Sequence, residues 1–320
     1  MIIKPANIYD QYSLNNIFIS YQQSGSNFYY TRKPFKEYHL KNQEFNFVRK
    51  INSIGIPEIE IENIEPKNNI RILCLGDSFT EGDGTDQDST YVRYLDRSLR
   101  KKSPNIEVIN AGRCGSDPFF DFKLYHDLLI KYQPDIIIQS FTTNDLFFDM
   151  VMRGGNERFQ KDKTIKYYNN YWWTPIYAVS FTSRILIQAF GGYDKYLIRQ
   201  KDYPQLVDKM KEESAQLFKE YYEFTKENHA DLIVFTLPFK EHFKIKENKE
   251  FNKEMGNNFS KFGLQFYDLQ PCYEEEIKAN QTTFKDYYWK IDGHHNAKGY
   301  EMMAKCLEKI VTPIIEKRIK

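Results

Sequence analysis

Charge of one sign is missing from this sequence: 45 Lys and Arg against 44 Asp and Glu leave a formal net charge of +1. Such a balance provides no global field to draw in nucleic acid or an anionic membrane. Nor is there a basic stripe interleaved with aromatics, as an RNA- or DNA-binding face requires. Long apolar runs are also lacking. No window reaches the roughly 18 uninterrupted apolar residues of a membrane span, and the nearest, residues 174–190, is broken by Arg184 and several hydroxyls. After Met1, "IIKPANIYDQYS" has no apolar stretch of the secretory type. The chain as written predicts a soluble, cytoplasmic protein; a periplasmic or envelope location is the expectation if a leader was removed or lies outside it.

Cysteine is sparse. Cys74, Cys114, Cys272 and Cys306 are scattered without C-x-x-C or metal-type spacing. They predict free thiols rather than a disulfide framework, with Cys74 in an apolar run where it acts as a small hydrophobe. His39, His126, His229 and His242 stand isolated and predict solvated or packed side chains, so no metal is expected. The glycine-rich "GDGTDQ" at 82–87 lacks the Gly-Lys-Ser/Thr of a phosphate loop and the G-x-G-x-x-G of a dinucleotide site. No cofactor is expected. The G-x-S-x-G elbow is absent as well, which argues against an α/β-hydrolase fold.

Five short apolar runs are present: "RILCLG" (71–76), "IEVIN" (106–110), "DIIIQSF" (135–141), "DLIVFTL" (231–237) and "LQFYDL" (264–269). They are nearly continuous rather than alternating, as strands buried on both faces of a parallel sheet are. Between and after them, helical spacing predicts helices over 88–102, 119–132, 204–228 and 299–316. The alternation predicts an α/β fold, a doubly wound sandwich around a five-stranded parallel sheet, with its ligand site beyond the C-terminal strand ends. Residues 1–66 predict an N-terminal extension of short strands and loops packed on a main domain of residues 67–320. Within that domain, residues 146–203 are far longer than a usual connection of ~2–6 residues and predict an inserted subdomain or lid. Its Tyr167, Tyr168, Tyr171, Trp172 and Trp173 read either as an aromatic wall for a sugar or as an anchor for the insertion.

The strand ends deliver the chemistry. Gly76-Asp77-Ser78 follows the first strand, Asn110-Ala111-Gly112 the second and Thr142-Thr143-Asn144-Asp145 the third, while "YYWKIDGHHNAKGY" (287–300) follows the fifth. A serine nucleophile needs a base within hydrogen-bond reach. In an extended loop, side chains at i and i+2 point the same way, so Asp292 can hold the Nδ1 proton of His294 while Nε2 takes the proton of Ser78. His295 is the alternative base. Oxyanion donors are expected from the backbone N–H groups of Ser78 and Gly112 and from the Asn144 amide.

"GDSFTEG", "NAG", "TTND" and "DGHHNAKG" together resemble the four motif blocks of the SGNH, or GDSL-like, hydrolase superfamily, in order over residues 71–310. The resemblance implies a three-layer α/β/α, flavodoxin-like sandwich. It maps Ser78 to the nucleophile, Gly112 and Asn144 to oxyanion donors, and Asp292 with a following histidine to the acid–base pair. Gly299 five residues past His294 and Asn296 two past it favour His294 over His295, which then fills a position often taken by an aromatic. "NFVRKINSIGIPEIEIE" (46–62) is similar to the segment preceding the nucleophile block in some bacterial envelope or glycan-modifying members. The expected activity is hydrolysis of a carboxylic ester, such as an O-acetyl group on a carbohydrate, through an acyl-enzyme. O-acetyl transfer to a glycan and non-catalytic glycan binding are the alternatives, and no nucleic-acid partner or integral membrane segment is expected.

Overall fold

The computed structural model describes residues 22–23, 30–32, 34–58, 60, 69–151, 154–159, 176, 180–190, 202–240 and 247–319. In chain order, a two-residue pair, β1 (Gln22–Gln23) and β2 (Tyr30–Thr31), precedes an antiparallel hairpin of β3 (Glu37–Lys41) and β4 (Asn46–Lys50). Five further strands, β5 (Ile70–Leu75), β6 (Ile106–Asn110), β7 (Ile136–Ser140), β8 (Asp231–Thr236) and β9 (Phe266–Asp268), form one parallel sheet in the order β6-β5-β7-β8-β9. That order is the flavodoxin-like one, and it reverses direction between β5 and β7, the position at whose C-terminal strand ends sheets of this kind take their ligands.

The helices are α1 (Ser78–Glu81), α2 (Tyr91–Lys102), α3 (Pro118–Asp127), α4 (Phe181–Ala189), α5 (Tyr203–Glu227), α6 (Glu247–Ser260), α7 (Gln270–Ala279) and α8 (Ala297–Ile319). Successive strand side chains face opposite ways, so β5 sends Ile72 and Cys74 into one core and Leu73 and Leu75 into the other. The first core is closed by Val92, Leu95 and Leu99 of α2 and Met303 and Leu307 of α8. The second is closed by Leu124 of α3, Met210 and Phe218 of α5 and Met255 of α6. The two layers of helices around one sheet make the three-layer sandwich that the apolar runs predict.

The structure moves several local boundaries. The helix predicted from residue 88 begins at Tyr91, because Thr90 caps it by accepting from the Arg93 N–H and a 3-10 turn (Gln87–Ser89) precedes it. The 119–132 helix changes to a 3-10 turn at Leu129–Tyr132. Helices α6 and α7 are additions to the predicted set. The thiol expectation is corrected too: Cys272 on α7 and Cys306 on α8 form a disulfide with Cα atoms 5.9 Å apart. Helix packing brings together residues that are 34 apart in sequence, a proximity invisible to spacing rules. Cys74 is a free, buried cysteine and Cys114 a free, exposed one.

In and at the edge of the 146–203 insertion, the described parts include a short π-helix (Asp145–Met150), a 3-10 turn (Asn156–Arg158) and α4. Arg158, 4% exposed, donates to Asp117 at the start of α3 and to the Gly154 carbonyl, each at 2.7 Å. Tyr167, Tyr168, Tyr171, Trp172 and Trp173, the aromatics of the sugar-wall reading, lie outside the described residues.

Candidate active site

The site starts where β5 ends. Gly76 has φ +146°, and a Cβ there would lie 1.9 Å from Ser140 Oγ, so only glycine lets the chain turn from strand to helix beside β7. Asp77 then caps α1 by accepting from the Phe79 N–H at 2.9 Å, and Ser78 becomes the first residue of that helix. Its N–H is among the donors that a helix start leaves without an intrahelical acceptor. The loop after β6 is tied to the same turn: Arg113 N–H and Ser116 Oγ both donate to the Gly76 carbonyl, at 2.8 and 2.9 Å.

Far along the chain, the loop between the 3-10 turn Phe284–Tyr287 and α8 returns to this point. Ser78 Oγ lies 2.7 Å from His294 Nε2, and His294 Nδ1 is hydrogen-bonded to Asp292 Oδ1. With Nδ1–H donating to the carboxylate, Nε2 carries the lone pair, and the serine O–H donates to it. The His294 and Asp292 side chains are 24% and 25% exposed, so the reacting edge is open to a substrate. Phe79 packs against the ring of His294 with centroids 4.9 Å apart.

His295 points the other way. It is 0% exposed, its Nε2 is 2.9 Å from Tyr273 Oη, and it sits among the rings of Phe79, Tyr273, Tyr288 and Tyr300. It cannot serve as the alternative base, because its ring is enclosed on the core side of the loop. It does occupy an aromatic's place.

Gly112 lies against the nucleophile helix. Its N–H donates to Asn110 Oδ1 at 3.0 Å, and it is buried where a Cβ would lie 2.3 Å from Glu81 N and 2.4 Å from Thr80 C. Close packing of the β6 loop against the nucleophile helix is one reason for a glycine here. Asn144 is placed differently. Asp145 Oδ2 accepts from both the N–H and the Oγ1 of Thr142, at 2.7 and 2.8 Å. That lock fixes the turn after β7 and leaves Asn144 exposed at the strand-end rim.

The electrostatics favour a protonatable base. Burial disfavours the His294 imidazolium, but the hydrogen bond to Asp292 and the charges of Asp83, Asp292 and Asp77 outweigh it and hold its pKa above the ordinary value. For Asp292, burial is outweighed by the hydrogen bond and charge of His294, and its pKa is depressed. Burial takes His295 down to about 3, helped by the charge on His294. Burial likewise pushes Asp77 up to about 6, against the Phe79 N–H and His294.

Sequence reasoning missed the N-terminal contributors. Arg32 forms an ion pair with the fully buried Glu81 of α1 (Nη2–Oε1 2.6 Å), and Glu81 Oε2 in turn accepts from the Cys114 N–H at 2.5 Å. No local pattern announces these contacts; a glutamate within "GDSFTEG" that must be buried was the only available hint. Among the described residues, no group of three or more His, Cys, Asp or Glu side chains is placed to hold a metal ion. None of the helices of the described residues is long and apolar enough to cross a membrane.

A sequence profile of the GDSL-like Lipase/Acylhydrolase family matches residues 74–302. No curated protein sequence matches the chain. Among solved structures, the chain is similar to a two-domain esterase (CEX) active on acetylated mannans, co-crystallised with mannopentaose, with TM-score 0.48 and 15% identity over 77% of this chain and 50% of that one. The chain thus spans half the length of that esterase. It is also similar to LAE5, an alpha/beta hydrolase enzyme from the metagenome of Lake Arreo, Spain (TM-score 0.47, 14% identity, 77% of this chain and 97% of that one). A third likeness is to a catalytic mutant of Axe2, an acetylxylan esterase from Geobacillus stearothermophilus (TM-score 0.46, 15% identity, 76% and 95%).

Proposed function

The chain belongs to the GDSL-like lipase/acylhydrolase family and is an SGNH-type carboxylic ester hydrolase; from that membership we propose that it removes O-acetyl groups from a carbohydrate, with Ser78 as nucleophile. The observation that carries the assignment of roles is the chain of contacts from Ser78 Oγ to His294 Nε2 at 2.7 Å and from His294 Nδ1 to Asp292.

In this reading Ser78 Oγ attacks the ester carbonyl as His294 Nε2 accepts its proton, and Asp292 stabilises the imidazolium that forms. The carbonyl oxygen becomes an oxyanion, for which the Ser78 N–H and the Asn144 amide are the proposed donors. The C–O bond to the sugar then breaks, and His294 returns the proton to the departing hydroxyl. Water, deprotonated by the same histidine, attacks the acyl-enzyme and releases acetate and free Ser78. A site partly open at His294 and Asp292 suits a bulky alcohol such as a glycan hydroxyl. The Cys272–Cys306 disulfide supports an oxidising compartment as the working location.

The test combines labelling with product analysis. A fluorophosphonate probe should modify Ser78 in the folded protein, and Ser78→Ala should lose both the label and p-nitrophenol release from the acetyl ester. Mass spectrometry on acetylated oligosaccharides should show loss of acetyl with acetate released. Transfer of the acetyl group to an added free oligosaccharide would replace hydrolysis with transferase chemistry. Full activity in Ser78→Ala would end the serine assignment.

A further inference from the structure

The loop that carries Asp292 is built to be held from outside. Its middle residue, Gly293, has φ +89° and nothing within 4 Å of the Cβ position, so the Asp292–Gly293 tip is both conformationally permissive and unpacked. The base of the loop is secured by the Trp289 N–H to the His294 carbonyl at 2.8 Å and by the bridge between Tyr288 and His295. Lys240 Nζ adds donations to the carbonyls of Trp289, at 3.2 Å, and Lys290. The tip itself is gripped by the β3–β4 hairpin, some 250 residues away in sequence.

Glu44, in the turn of that hairpin, accepts from the N–H groups of both Ile291 and Asp292 through Oε2, each at 2.8 Å. Charge-assisted bonds of this kind are stronger than neutral ones. Asn42 uses both ends of its amide. Oδ1 accepts from the Glu44 and Phe45 N–H groups at 2.8 and 2.9 Å, shaping the turn. Nδ2 donates to Asp292 Oδ2 at 3.4 Å, the carboxylate oxygen turned away from His294.

The same hairpin also reaches the nucleophile side. Arg49, 0% exposed, donates from Nη2 to the carbonyls of Gly82 and Thr85 at 2.8 and 3.1 Å. Phe45 packs on Trp289, whose Nε1–H donates to the Gly84 carbonyl at 3.1 Å. One hairpin therefore touches the loop that follows Ser78 and the loop that carries Asp292 and His294.

We propose that the β3–β4 hairpin is a positioning clamp for the catalytic site, in which Glu44, seconded by Asn42, sets the backbone of Asp292 so that Oδ1 meets His294 Nδ1. The proposal rests on the assignment of Asp292 and His294 as the acid–base pair. Glu44 touches neither substrate nor reacting atoms, and it acts through Asp292. Misplacing a catalytic group by about 1 Å can cost on the order of 10²-fold, which sets the size of the expected effect.

The experiment is a double-mutant cycle on p-nitrophenyl acetate, an ester too small to need contacts with the hairpin. Glu44→Ala should lower kcat by about 10- to 100-fold with KM within about twofold. Glu44→Gln, which keeps an oxygen acceptor at the same reach, should recover most of that loss. Glu44→Asp, one methylene shorter, should not, and as a conservative change at the hairpin turn it keeps the comparison available should Glu44→Ala fail to fold. In an Asp292→Ala background, changing Glu44 should cost nothing further, because the group it positions is gone. The clamp is overturned if Glu44→Asp and any folded Glu44→Ala keep the parental kcat, or if the loss persists at full size in the Asp292→Ala background. An Asp292→Ala enzyme as active as the parent overturns the acid–base assignment and the clamp with it, whereas an impaired Asp292→Ala beside an unimpaired Glu44→Asp and an unimpaired or unfolded Glu44→Ala overturns the clamp alone.

Discussion

His294 and His295 are adjacent in sequence and face opposite sides of their loop: His294 Nε2 lies 2.7 Å from Ser78 Oγ, and His295 Nε2 lies 2.9 Å from Tyr273 Oη in the core. One peptide bond separates a residue placed for proton transfer from one placed for packing. Substitution should separate the two roles. His294→Ala is expected to abolish p-nitrophenol release while leaving thermal unfolding nearly unchanged. His295→Phe should retain the same base and hydrolyse the ester, with its defect appearing in stability.

The pH dependence of activity follows from the raised pKa of His294. A general base works only when unprotonated. kcat/KM should therefore fall on acidification with a midpoint above the ordinary histidine value of about 6.5. Asp292→Asn removes the main group that raises it, so the midpoint should move down in that variant, alongside a lower plateau. A pH–rate profile from pH 5 to 9 measures both.

For stability the two histidines have opposite signs. His295 is depressed to about 3 in the folded state, so the unfolded chain binds a proton that the folded one refuses. Its contribution is fully present above about pH 6.5 and is lost as pH falls toward 3, with a slope of at most about 1.4 kcal/mol per pH unit. His294, with a raised folded value, contributes stability that is fully present below about pH 6.5 and is lost as pH rises through its folded pKa. His295→Phe leaves the Tyr273 hydroxyl without this partner and should cost about 1–3 kcal/mol at pH 8. That deficit should shrink between pH 6.5 and 5, as urea unfolding at the three pH values would show.

Gly112 and Asn144 should fail in different ways. Gly112→Ala drives a methyl into the backbone of Thr80 and Glu81, the helix that carries Ser78. It should lower stability by about 1–3 kcal/mol together with kcat. Asn144→Ala removes an exposed amide from the rim, and should cost ~10²–10³ in kcat with unfolding unchanged. Equal losses of stability in the two variants would contradict this division.

The Cys272–Cys306 disulfide closes a loop with a sequence separation of 34, for which chain entropy gives about 3–4 kcal/mol. Thiol reduction, or Cys272→Ser with Cys306→Ala, should lower unfolding stability by that order. Denaturant unfolding with and without reductant provides the measurement.

Much of the fold was legible locally. The run Ile136-Ile137-Ile138 declares a strand buried on both faces, and the apolar spacing along Tyr203–Glu227 declares a helix, because both patterns repeat within a few residues. Helix α6 carries Phe251, Met255 and Phe259 at a spacing of four, a local signal that its many polar residues obscure, whereas α7 has only Tyr273 and Ile277 as large apolar residues and escapes for want of a repeat. Of the candidate site, the three side chains that the structure brings together, Ser78, Asp292 and His294, stand out in the sequence through strand ends and motif blocks. The packing reason for Gly112 was not legible, because the contact of its Cα with the backbone of Thr80 and Glu81 joins segments some 30 residues apart.

By itself the sequence determined the α/β alternation, the five strands and the small set of polar residues delivered to their ends, since each depends on neighbours a few positions apart. Only the tertiary structure decided which histidine meets Ser78 across 216 residues of chain, why Gly112 is a glycine, which cysteines pair, and that Glu44 grips the Asp292 loop. These are contacts between segments distant in sequence. Their geometry is set by how the sheet, helices and hairpin pack, and packing has no period for a sequence to display.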